Sequence, residues 1–177
     1  MYRQGTRLAM FILVLAFAAF GQTKSPQIQS SPAPDFLAYQ ALFKNVVWLE
    51  NLATQADAKQ GAGNASSKGY RSQIPKAAGL SGADYAALVA IAKDYAQQKA
   101  AYVGARDAIL TAVYAQQAAG GKATWAQTVQ LSNLFAQYTS MIEAHVAQPA
   151  SKLSPAGAQA LANYVHATVA PGVTWGR

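Results

Sequence analysis

Residues 81–118 read SGADYAALVAIAKDYAQQKAAYVGARDAILTAVYAQQA, and this stretch decides the fold. Ser81 is a good helix N-cap, and Asp84 stands three positions on, a capping-box pattern with Asp in place of Glu. No helix-breaking pair follows until Gly120-Gly121. Gly104 is the one weak point, and it falls opposite the apolar columns. A helix over 82–118 is about 55 Å long at 1.5 Å per residue. Positions seven apart nearly superpose on it. Leu88, Tyr95, Tyr102 and Ile109 make one column, and Val89, Ala96, Val103 and Leu110 another. Between them run Tyr85, Ala92, Lys99, Arg106 and Val113, which puts two basic residues inside an apolar arc.

Downstream, the Gly120-Gly121 turn sends the next helix back antiparallel. Thr124 caps it. Trp125, Val129, Leu131, Leu134, Phe135, Tyr138, Met141, Ile142 and Val146 supply its apolar face, and its predicted end lies before Pro149. Ser154, with Pro155 at the first helical position, opens a last helix. That helix is expected to stop near Ala170, before Pro171-Gly172.

Upstream, Asp35 is an N-cap for a helix over 36–60, in which Phe36, Tyr39, Phe43, Val46, Val47, Leu49 and Ala53 recur at helical steps. Residues 61–69 read as a flexible break. Residues 70–78 read as a short helix limited by Pro75 and ended by Gly79. No repeat and no strand emerges. The expectation is an all-α, antiparallel up-and-down bundle of four to five helices, one long and central, forming a single domain over 35–177. A helix so much longer than its neighbours leaves part of its apolar arc uncovered. The tail, the 70–78 segment or a second copy of the chain would fill that overhang, and exposed apolar surface of this kind marks interaction sites.

The N-terminus reads as an address. Arg3 and Arg7 precede an uncharged apolar run over 8–20, and Ala19-Phe20-Gly21 places small residues before Gln22. This is the pattern of a cleavable signal peptide over 1–21. The run is short for a membrane span. No cysteine at the junction offers a lipid anchor, so the expectation is a periplasmic or extracellular protein with no span in its mature chain. Residues 22–34 are Ser/Pro/Gln-rich and read as a disordered leader.

Composition excludes several chemistries. The chain has 177 residues, 14 Lys and Arg against 7 Asp and Glu, and no cysteine. Disulfide scaffolds, Cys-ligated zinc and iron–sulfur clusters are therefore out. Glu50 and Glu143 are the only glutamates, too few for a di-iron carboxylate bundle. Basic residues are scattered without aromatic interleaving, which argues against nucleic acid. The mature charge of +5 that follows from loss of Arg3 and Arg7 favours weak contact with an anionic envelope surface. No serine-hydrolase elbow, zincin or phosphate-loop motif occurs.

Four polar residues are candidates for an interior layer. If the two helices fold back at Gly120-Gly121, paired positions add to about 241. Lys99 then lies near Ile142, and His145 near Ala96. With the first helix antiparallel to the long one, Glu50 falls at a similar height. Glu50, Tyr95, Lys99 and His145 would form a buried layer in which the Glu–Lys pair compensates its own charge. Such a layer serves either helix register or ligand binding. A bis-histidine haem would need His145 and His166 to converge, and His166 points away from the apolar face, so no cofactor and no metal is implied. Trp48 and Trp175 are candidates for a partner contact. The expected function is an exported binding or structural protein acting through protein–protein or envelope contacts. The alternatives are a small-ligand carrier using the polar layer and an enzyme acting on envelope polymers with Glu50 or His145 as acid–base.

Overall fold

The computed structural model describes residues 35–173. The proposed signal segment, the leader and Trp175 lie outside the described residues. The elements are α1 (Asp35–Gln60), α2 (Ala65–Ala78), α3 (Gly82–Ala118), α4 (Trp125–Lys152) and α5 (Pro155–Tyr164). A π-helical turn, Val165–Val169, and a 3-10 turn, Ala170–Gly172, follow α5. Among the described residues there is no strand.

The helix starts follow local chemistry. The Ser81 side chain accepts from the Asp84 amide, and the Ser154 side chain from the Gly157 amide. Thr124 and Gln127 form a reciprocal capping box, which satisfies two otherwise orphaned amides at once. Gly79 ends α2 in the left-handed region at φ 69°, a conformation that costs glycine little.

Three boundaries differ from expectation. α2 begins at Ala65, not 70, because the Asn64 side chain caps it by accepting from the Ser67 amide. The predicted flexible break shrinks to a short turn at 61–64, where the Gly63 amide donates to the Asp57 carboxylate at 2.8 Å. α4 continues through Pro149 to Lys152. A proline inside a helix costs about 3 kcal/mol, but Pro149 and Leu153 are both buried, and burying two apolar side chains recovers a comparable amount. The last helix keeps its α geometry only to Tyr164 before the π turn widens it.

Leu42, Phe43, Val46 and Leu49 of α1 pack with Ile74 of α2, Leu88 and Tyr95 of α3, and Leu161 and Val165 of the last segment. The hairpin of α3 and α4 has nearly the expected register: Asp94 meets His145 and Tyr102 stacks on Tyr138, within two positions of the alignment set by the glycine turn. α1 also runs antiparallel to α3, with Gln40 beside Tyr95 and Glu50 beside Tyr85. At that register Asp35 is level with about residue 100 of α3. The remaining eighteen or so residues of α3 extend roughly 27 Å beyond the start of α1. There, among the described residues, α3 has only α4 beside it.

One clasp joins distant ends. The Asp84 carboxylate accepts from the Ser81 hydroxyl (2.7 Å), the Ser154 amide (2.7 Å) and the Ser154 hydroxyl (3.0 Å). A negative group thus sits at the N-termini of both α3 and α5, where both helix dipoles favour it. A Cβ built on Gly157 would come 2.5 Å from that carboxylate, so glycine is what lets α5 approach.

Candidate functional site

The four residues expected to share one layer fall into two groups. Tyr95, Lys99 and His145 come together where α1, α3 and α4 meet. The Tyr95 hydroxyl donates to Gln40 Oε1 at 3.0 Å, and Tyr138 reaches the same oxygen at 3.5 Å. Burial, reinforced by the Tyr138 hydroxyl, pushes the Tyr95 phenol well above its ordinary value. The His145 ring stands edge-on to Tyr95, with centroids 5.6 Å apart. The Lys99 ammonium lies 5.8 Å from the centre of the Tyr95 ring, at the outer limit of a cation–π contact.

His145 is buried, and both ring nitrogens are engaged. Nδ1 donates to the Met141 carbonyl at 2.7 Å, and Nε2 meets the Asp94 carboxylate at 3.0 Å. Both partners are acceptors, so the ring satisfies both contacts together only when each nitrogen carries a proton. Neither nitrogen is left for a substrate or a metal. Gln98 and His145 together hold the Asp94 carboxyl below the usual carboxylate range.

Glu50 lies elsewhere, and the expected Glu50–Lys99 pair is not made. Glu50 is 8% exposed. It accepts from the Tyr85 hydroxyl at 3.1 Å and, at 3.4 Å, from Arg71. Arg71 also donates to Asp57 at 2.8 Å, and the two carboxylates hold its guanidinium above its ordinary value, Asp57 the more strongly. Tyr85 and Lys99 are fourteen residues apart on α3, roughly 21 Å along the axis. The reason for the difference is the level of α1 against α3, which sets Glu50 beside Tyr85, where Arg71 of α2 answers the buried carboxylate. The sequence reading missed Arg71, Tyr85, Asp57, Asp94 and Gln40. Their contacts join separate helices, and no local spacing signals them.

Among the described residues, no buried side-chain nitrogen or oxygen lacks a hydrogen-bond partner. Nor, among the described residues, is any group of three His, Asp or Glu placed to hold a metal ion. The interior polar groups are therefore used up on one another. Between α3 and α4 lies an open groove of about 400 Å³, lined by Ala101, Tyr102, Ala105, Leu134, Tyr138 and Met141 among others.

The surface shows a different feature. Trp48 is 56% exposed on α1, and Trp175 lies outside the described residues. Trp125 and Phe135, expected on the buried face of α4, are instead 69% and 63% exposed, and Tyr114 of α3 is 45% exposed. The physical reason is the register of α1: at the height of these residues no third helix is present among the described residues. On α3, the side buried in the body by Tyr85 and Ala92 continues outward as Val103, Leu110 and Tyr114. On α4, the side of buried Ile142 continues as Phe135 and Leu131. The outer hairpin therefore presents, in the open, the surface that α1 covers lower down.

Comparisons with protein-family models, with curated proteins and with solved structures find no match to this chain.

Proposed function

We propose that this chain is an exported helical-bundle protein that acts by binding another protein through the outer half of its α3–α4 hairpin. The observation that carries the reading is the mainly apolar face of half-buried Val103, Leu110 and Leu131 with exposed Tyr114 and Phe135, which no helix among the described residues covers. Exposed apolar faces with aromatic residues are characteristic of contact surfaces. Two further points support it. The interior polar groups are mutually satisfied, which favours a structural role for them over ligand carriage. The signal-peptide pattern over 1–21 supports a location outside the cytoplasm, and no helix among the described residues is long and apolar enough to cross a membrane.

A photoreactive amino acid placed in turn at 114, 135 and 48 tests the reading in the producing cell. The hairpin positions are expected to give discrete protein adducts, and position 48 far weaker ones. Adducts from 48 alone, or none from 114 and 135, would overturn it. Mass measurement of the exported chain tests the address: a start at Gln22 is expected, and an intact Met1 in the cytoplasmic fraction contradicts it.

A further inference from the structure

The hairpin face can be assigned an occupant, an inference that rests on the contact reading above. We infer that a second copy of the chain covers it, the two outer hairpins packing face to face into a four-helix bundle beyond the two bodies.

Charge is the first argument. From Ala108 to Ile142 the only charged residue is Lys122, beside the turn. At the chain's own 12% charged fraction, a stretch of 35 residues would carry about four. Interface cores are depleted in charge because stripping water from ions is costly. In a symmetric dimer, equivalent patches meet, so like charges near the axis would repel. Here that part of the surface carries, besides Lys122 at the turn, only the adjacent Arg106–Asp107 pair, which neutralises itself at 2.7 Å. A partner of different sequence is commonly steered and selected by opposite charge, and the charge this face offers is a single self-neutralised pair, Arg106–Asp107.

Geometry is the second argument. The uncovered part of the hairpin is roughly 27 Å long and two helices, about 20 Å, wide. Each copy then contributes about 500 Å², and the pair about 1,000 Å², which reaches the threshold of a specific interface. One docked helix would cover only about half of that width. A second hairpin covers all of it, because two antiparallel helices are half of a four-helix bundle. Along α3, Val103, Leu110 and Tyr114 follow seven- and four-residue steps, the spacing that interdigitates between antiparallel helices.

Sedimentation equilibrium of the full chain, over about a hundredfold range of concentration, tests the inference together with photo-crosslinking from position 135. Phe135→Glu and Leu110→Glu are compared with wild type and with the body variant Trp48→Ala. The chain is expected to dimerise, each hairpin variant to weaken the dimer at least about tenfold, and Trp48→Ala to leave it unchanged. Far-UV circular dichroism confirms that the variants keep their helices. Crosslinks are expected between hairpins of two copies. A monomer throughout, with crosslinks from 135 to a different protein, overturns the second copy but leaves the hairpin as a contact surface. Association unaffected by both hairpin variants overturns the inference, and a monomer with no crosslinks, or with crosslinks only within one chain, overturns both readings.

Discussion

Gly157→Ala is the substitution that most sharply tests how the end of the bundle is locked. Gly157 lies in the first turn of α5, where alanine is ordinarily the better residue by about 1 kcal/mol. Here the added Cβ would stand 2.5 Å from the Asp84 carboxylate, a distance at which something must shift. Asp84 is not free to yield, being held by the Ser81 hydroxyl and by the amide and hydroxyl of Ser154. Overpacking of one carbon at a fixed site costs about 1–3 kcal/mol. Set against the propensity gain, a net loss of up to about 2 kcal/mol is expected, or a fall in Tm of up to about 6 °C for a domain of this size. Urea denaturation followed by circular dichroism measures it. The same substitution in an Asp84→Ala background removes the collision and should become neutral or stabilising by up to about 1 kcal/mol. Equal loss in both backgrounds would refute the reasoning, since the cost would then not arise from Asp84.

The remaining predictions concern the polar groups. Tyr85→Phe removes the hydroxyl on buried Glu50 Oε1 and should cost about 1.5–3 kcal/mol, whereas Lys99→Met should change stability by no more than about 0.5 kcal/mol. Equal effects in denaturation would mean that Lys99 holds a carboxylate after all. The carboxyls of Asp57, Asp84 and Asp94 all lie below the usual range: Ser67 and Arg71 hold down the first, Ser81 and Ser154 the second, Gln98 and His145 the third. A depressed folded value contributes stability above the unfolded value of about 3.9, and that stability is lost as pH falls through the folded value. The urea midpoint should therefore drop below about pH 4, and less steeply in Asp94→Asn. A midpoint unchanged between about pH 5 and pH 2 would contradict this assignment.

Much of the fold was legible because its signals are local. Ser81, Thr124, Ser154 and Gly79 mark helix ends by side chains or φ values that act within one turn. The α3–α4 register was legible too, because a tight glycine turn leaves two helices of equal rise only one alignment. The level of α1 against α3 was not. α2 intervenes between them, so no short turn fixes their relative height, and Glu50 fell about 21 Å from the Lys99 assigned to it. The Asp84–Ser154 contact spans 70 positions, and nothing near either residue announces the other. Pro149 illustrates the opposite failure: a reliable local breaker was overridden by burial. The exposed hairpin was legible in outline from the length of the 82–118 helix alone. Which residues it leaves open, Phe135 and Trp125 above all, depended on the level at which α1 begins.

Amide hydrogen exchange at two concentrations, one dilute and one about a hundredfold higher, tests most directly the claim that the outer hairpin is a contact face between copies of the chain. Dilute protein should exchange faster over residues 103–117 and 128–137 than in the body of the bundle, because among the described residues those helices pack only on each other. At the higher concentration these segments should gain protection while α1 and α2 stay unchanged. Exchange in the hairpin that is independent of concentration, or protection gained only in the body, would contradict the account.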